Sequence, residues 1–335
     1  MEDPKIHKET SIELWRKLKF GIIIHWGIYS VPGYDDPECA SRRKIKNGSE
    51  WYAERLKKTF RETKADKLTK EFHEKEYKGL EYEDLVEYFN AYDFNVKYWV
   101  NLFEEVGAKY VILTTKHHDG YALWDTETTD FNSVKCKPHI NIVEELTKEL
   151  KKRNIKVGFY YSLMEFKRNF SKKYLNEIVK PQLKELRKYK PDIWFFDGDW
   201  KGTSEQWDLS SFISKIHKDG AVINDRLGKD KDNALYRTDA KPDYFNFGDR
   251  YIPDKKLNVP WEHITTIGNS WGINYDQREE DYKSVKELKR TYKEVIEKGG
   301  NFCLNLGPDA DGNFDPREED KIKEFGKWLK DNQSI

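Results

Sequence analysis

Short apolar runs, each followed at once by a polar residue and a turn, recur along this chain. The clearest is Ile193-Trp194-Phe195-Phe196, entered through Lys190-Pro191-Asp192 and left through Asp197-Gly198-Asp199-Trp200. It is too short for a helix and rich in strand-favouring side chains, so it predicts a buried strand. Seven further segments share the form: 20–27, 108–115, 156–162, 221–226, 243–247, 263–267 and 301–308. Helical periodicity fills most of the intervals, at 9–19, 94–106, 142–153, 171–189, 209–218, 284–298 and 316–331. Gly299-Gly300 stops the sixth of these helices, as glycine does just past a C-terminus. Residues 56–81, dense in Lys and Glu, predict an exposed helix, and residues 30–55 and 227–242 predict loops. Eight strands with helices between most of them predict an irregular (β/α)8 barrel in a single domain, residues 1–335. The irregularity belongs after the fifth to seventh strands, where helical connections are poorly marked.

In such a barrel the chemistry lies at the C-terminal ends of the strands. Those ends present His25, His117, His118, Tyr160, Asp197, Arg226, and Asp249 or Glu262. Asp197 is the sharpest candidate, because the end of a buried strand is a costly place for a charge. Its plainer role would be to cap the next helix. Arg226 has a plainer role too, as partner of Asp225, and Glu50 could be a solvated loop residue. Adjacent residues on a strand point to opposite faces, which argues against His117 and His118 as one pair of metal ligands. Taken together, these side chains converge on one pocket, with Trp26, Trp51 and Trp271 expected as walls. No glycine-rich phosphate cradle and no Gly-x-Ser-x-Gly elbow is present. Carboxylates, imidazoles, one guanidinium and aromatic walls suit glycoside hydrolysis by paired carboxylates.

Composition narrows the partners. Aromatic residues make up 15% of the chain, with Trp 11 and Tyr 20. Aromatic faces stack on sugar rings and their polar tips bond hydroxyls, although an aromatic-rich core would have the same composition. Lys+Arg 60 balances Asp+Glu 60, so there is no basic field to attract nucleic acid. Charged residues are 36% and the mean hydropathy is -0.93, with signs interspersed as on exposed helix faces. Cys39, Cys136 and Cys303 are scattered and suggest neither a metal knuckle nor a disulfide framework. The charged start and the lack of a long apolar run lead us to expect a cytoplasmic protein with no membrane partner. No metal and no cofactor is expected.

Several segments resemble one family, the α-L-fucosidases of glycoside hydrolase family 29. They are residues 20–27 with Ser49-Glu50-Trp51-Tyr52, then Thr115-Lys116-His117-His118-Asp119-Gly120-Tyr121-Ala122-Leu123-Trp124 and Thr129-Asp130-Phe131-Asn132-Ser133-Val134. Asn224-Asp225-Arg226, Ser270-Trp271-Gly272 and residues 299–308 continue the likeness in order. The resemblance implies a retaining exo-hydrolase on an irregular barrel, acting on a fucosylated oligosaccharide or glycoconjugate. By it, Asp197 matches the nucleophile, and His25, Glu50, Trp51, His117, His118, Tyr160, Arg226 and Trp271 match the sugar-binding positions. The acid/base is a Glu in many members. Here Asp249 falls nearest that position, with Glu262 and Glu50 as alternatives. Members often carry a C-terminal β-sandwich, which is expected to be absent here, and often associate into homo-oligomers. Fucose lacks a 6-hydroxyl, so its pocket should end in apolar walls. Two other readings stay open: a fucose-binding protein without catalysis, and a barrel glycosidase for another sugar.

Overall fold

The computed structural model describes residues 4–36, 48–228 and 242–333. Among them, seven strands form one curled, parallel sheet: β1 (Phe20–Ile24), β2 (Tyr110–Lys116), β3 (Lys156–Ser162), β4 (Ile193–Asp197), β5 (Val222–Ile223), β6 (Glu262–Thr266) and β7 (Asn301–Leu306). Their spatial order is β5-β4-β3-β2-β1-β7-β6. Every neighbouring pair runs parallel, which places all C-terminal strand ends on one side.

Side-chain alternation divides the core into two layers. Ile23, Tyr110, Ile112, Tyr160, Ile193, Phe195, Val222 and Ile264 pack together inside the curl. Ile22, Ile24, Val111, Leu113, Phe159, Tyr161, Trp194 and Phe196 face the surrounding helices. Both faces being apolar explains why the strands read as continuous hydrophobic runs. Gly21 makes room for an inward ring, since a Cβ there would stand 2.2 Å from the ring of Tyr110. Inward parity carries straight on to the strand ends. His25 follows Ile23, Asp197 follows Phe195, and Arg226 lies four residues beyond Val222.

The expected sixth strand, 243–247, is the main correction to the eight-strand expectation. It survives only as two single bridges, Asn224 to Tyr244 and Phe245 to Trp261, spanning from the end of β5 to the residue before β6. Backbone bonds from Asp243 to Ile223 and between Phe245 and Glu262 remain, and side chains supply further ones. Asp243 Oδ2 accepts from the Ile223 amide at 3.0 Å, and Asp225 Oδ1 accepts from the Asn246 amide at 3.0 Å. The chain then leaves the sheet through Phe247, whose φ is 56°.

The helices match the expected periodicity, with two differences. The stretch 56–81 is two helices, Tyr52–Lys57 and Lys64–Glu76, the second begun by a capping box from Thr63 and Asp66. The stretch 171–189 contains a π-helical turn, Leu175–Val179, between Lys172–Tyr174 and Lys180–Arg187. Cys39 and much of the two expected loops, 37–47 and 229–241, lie outside the described residues. No helix among the described residues is long and apolar enough to cross a membrane.

Candidate active site

Asp197 ends β4 with inward parity, and the chain must turn immediately after it. Gly198 makes that turn at φ 71°, where a Cβ would stand 2.6 Å from Met164 Cγ and 2.9 Å from Ser162 Oγ. Asp197 is buried. Tyr160 donates its hydroxyl to Oδ2 at 2.8 Å, and Arg226 donates Nη1 to Oδ1 at 2.9 Å. Burial works to raise the Asp197 pKa. The charge of Arg226 and the hydrogen bonds from Arg226 and Tyr160 outweigh it, so the carboxyl sits below its ordinary range. Burial lifts the Tyr160 phenol far above its ordinary range, so this group stays a donor. The second guanidinium nitrogen of Arg226, Nη2, donates to Asp249 Oδ1. One arginine therefore spans both expected catalytic carboxylates.

The histidines are neutral acceptors, and the surrounding network fixes their tautomers. Asn305 donates Nδ2 to the Trp271 carbonyl at 2.6 Å, which turns its Oδ1 toward His25 Nδ1, also at 2.6 Å. His25 must donate there and keeps Nε2 as an acceptor. Ser162 gives its hydroxyl proton to the Met164 carbonyl at 2.6 Å, so its oxygen accepts from His118 Nδ1 at 2.6 Å. His118 Nε2 is then also an acceptor, 3.5 Å from Asp197 Oδ2. Burial pulls the pKa of both rings down to about 4, and that of His117 well below its ordinary value. His117 and His118 both reach the cavity because they lie beyond β2, after a register shift between Thr114 and Lys116. Lys116 turns outward there to pair with Glu165 at 2.9 Å.

Ten of the twelve residues expected at the site line one cavity of about 280 Å³: His25, Glu50, Trp51, His117, His118, Tyr160, Asp197, Arg226, Asp249 and Trp271. Trp26 does not. It packs outside the sheet against Phe89, Phe94 and Trp99, and donates Nε1 to the Asp309 carbonyl at 2.6 Å. Its parity is that of Ile24, which faces the helices. Glu262 is likewise absent from the cavity walls. Its carboxylate lies inside the curl, accepting from Tyr110 Oη at 2.6 Å and from Asn246 Nδ2 at 3.1 Å. Burial raises its pKa to about 7. Glu50 reaches the cavity but is tied down, accepting from the Gly48 amide at 2.7 Å and the Gly272 amide at 3.2 Å. Four lining residues were missed: Ile23, Phe195, Ile264 and Trp200. The first three are inward strand residues, whose parity was the available signal. Among the described residues, no group of three or more His, Cys, Asp or Glu is arranged to hold a metal ion.

Two carboxylates lining one cavity, one buried and one more exposed, are compatible with glycoside hydrolysis by paired carboxylates. Comparison with known proteins narrows the class. The profile described as Alpha-L-fucosidase matches residues 2–334. Alpha-L-fucosidase of Dictyostelium discoideum is 36% identical, over 94% of this chain and 69% of its own length. Tissue alpha-L-fucosidase of Homo sapiens is 32% identical, over 94% of this chain and 66% of its own length. The chain thus spans about two thirds of these relatives. Among solved structures, Thermotoga maritima alpha-fucosidase superposes with a TM-score of 0.81 at 32% identity, covering 96% of this chain and 74% of that one. A second structure of that enzyme holds fucose. The chain belongs to the alpha-L-fucosidase family, glycoside hydrolase family 29.

Proposed function

We propose that the chain hydrolyses terminal α-L-fucosyl linkages with retention, by double displacement. Asp197 attacks the anomeric carbon as the bond to the leaving oxygen breaks, and that oxygen takes a proton from Asp249. The fucosyl ester on Asp197 is then attacked at the same carbon by water, whose proton passes to Asp249, and Asp197 leaves as a carboxylate. Asp249 contacts Arg226. To act as acid, Asp249 takes up a proton, gives up that ion pair, and donates the proton to the leaving oxygen. Arg226 and Tyr160 hold Asp197 aimed and ionised, and His25 and His118 accept from substrate hydroxyls through Nε2.

One observation carries this reading: Asp197, paired with Arg226 and Tyr160, lines a cavity that Asp249 also lines. Glu50 and Glu262 are weaker candidates for the acid, since the first is locked by backbone amides and the second is shut inside the curl. Ile23, Phe195 and Ile264 supply the apolar wall that a 6-deoxysugar requires. We further infer that residues 243–246 act as the eighth stave of a (β/α)8 barrel, a reading supported by their bridges to both neighbours.

The sugar is tested by comparing aryl α-L-fucoside with aryl α-L-galactoside, which differ by one hydroxyl. An apolar wall rejects an added hydroxyl by about 10²-fold in kcat/KM. Equal rates would contradict the assignment. Following the first product anomer by NMR tests the stereochemistry: α-fucose is expected, and initial β-fucose would mean inversion.

A further inference from the structure

The structure also points to where the rest of the substrate lies, an inference that rests on the fucosidase reading. An exo-acting site takes the terminal sugar inward and leaves its partner at the mouth. Tyr160, Phe195 and Trp271 are buried walls. Trp200 lines the same cavity but is 41% exposed. Lone exposed aromatics are common on surfaces, so exposure alone says little. The seat of Trp200 says more.

It stands three residues after Asp197, on the 3-10 turn Asp199–Lys201. That turn is held from several sides. Trp207 donates Nε1 to the Asp199 carbonyl at 2.8 Å, and the Asp199 carboxylate accepts from the Gly228 amide at 2.9 Å. Gly198 fixes its entry. The indole meets the His118 ring edge-on, with centroids 5.4 Å apart and planes at 76°. Of the two carboxylates, Asp249 is the more exposed, with its side chain at 25% against 11% for Asp197. The leaving oxygen that Asp249 protonates therefore departs toward solvent, and Trp200 is an exposed wall of the same cavity.

We propose that Trp200 is the platform of a leaving-group subsite, stacking against one face of a neutral pyranose ring to which the fucose is linked. A galactose or N-acetylglucosamine ring offers a face made of C–H bonds, which suits the electron-rich face of an indole. A rigid turn makes the platform ready-made, so little ordering is needed on binding.

The test compares kcat/KM for wild type, Trp200→Ala and Trp200→Phe on two substrates. One is α-L-fucosyl fluoride, whose leaving group has no ring. The other is the best-cleaved member of a set of fucosyl-galactose and fucosyl-N-acetylglucosamine disaccharides. The ratio of disaccharide to fluoride is independent of the fraction of folded enzyme. It is expected to fall about tenfold in Trp200→Ala, equivalent to about 1.4 kcal/mol, and to recover most of that in Trp200→Phe. A ratio in Trp200→Ala within about twofold of wild type overturns the proposal, as does a Phe variant that behaves like Ala. If the wild type cleaves neither substrate, the fucosidase reading itself falls, and the platform with it.

Discussion

At the scale of single residues, the site works by keeping two similar carboxylates in different surroundings. Asp197 is buried between a phenol and a guanidinium, whereas Asp249 shares that guanidinium but reaches toward solvent. On the proposed mechanism, replacing Asp249 with Asn removes proton donation and leaves Asp197 in place as the nucleophile. In kcat/KM, a fucosyl disaccharide should lose about 10²–10⁴-fold, and an aryl fucoside with a good leaving group far less. An equal loss on both would assign the acid elsewhere. The pH profile follows from the same groups. Attack requires Asp197 ionised, and its pKa lies below the ordinary carboxylate range. On the proposed mechanism His25 and His118 accept from sugar hydroxyls as neutral rings, and both gain a proton only near pH 4. The acid limb of kcat/KM is therefore expected at about pH 4 or below. A limb between about 6 and 7, where free imidazole titrates, would contradict the buried, neutral histidines. Much of this site was legible from the sequence, because a polar residue ending an apolar run is a visible signal. Glu262 carried a false one: it sits beside Trp261 near a strand end, yet it begins β6 and faces the interior. Trp26 misled in the same manner, since one step of strand parity separates the cavity from the helix layer.

At the scale of elements, the loop 247–251 decides where Asp249 stands, and Arg250 fastens it. Phe247 and Arg250 both have positive φ, at 56° and 59°, an arrangement that costs energy unless the surroundings impose it. Arg250 supplies that constraint. Its Nη2 donates to Thr266 Oγ1 at 3.0 Å and to the Asn269 carbonyl at 2.9 Å. Its guanidinium lies 5.0 Å from the centroid of the Trp271 ring, and its backbone amide donates to the Ile264 carbonyl at 3.0 Å. Lysine keeps the charge but cannot make this fork and stack at once. Arg250→Lys should therefore lower kcat/KM on a disaccharide by about tenfold or more, since small misplacements of a catalytic group are costly. The aryl fucoside should suffer less, and the melting temperature should change little. Equal losses on both substrates would mean that Arg250 does not act through Asp249. Nothing in the sequence marked this clamp, because its partners lie 14 to 21 positions away, on and beyond the next strand. The two-residue β5 and the missing sixth strand were hidden for a related reason. Asp243 and Asp225 spend side-chain oxygens on backbone amides, which no alternation pattern shows.

At the scale of the whole molecule, the curled sheet has a working end and a supporting one. The helix Pro4–Leu18 serves the second. Trp15 joins the inner core cluster, stacking on Tyr244 with ring centroids 4.3 Å apart, and its carbonyl accepts from Asn301 Nδ2 at 2.8 Å at the start of β7. Trp15→Ala should cost about 3–5 kcal/mol of stability, read by denaturant unfolding, with KM for an aryl fucoside little changed. A large rise in KM with unchanged stability would mean that this end is coupled to the site in another manner. The alternation of strand and helix was legible at this scale because both faces of a parallel sheet must be apolar. The route by which the curl continues past β5 was not. The proposed mechanism depends on Asp197 forming a covalent bond to the sugar. The most direct measurement is to incubate the protein with 2-fluoro-fucosyl fluoride, digest it, and map the labelled peptide by mass spectrometry. The account predicts a single fucosyl label on Asp197, lost in Asp197→Gly. A label on Asp249, Glu50 or any other side chain would contradict it.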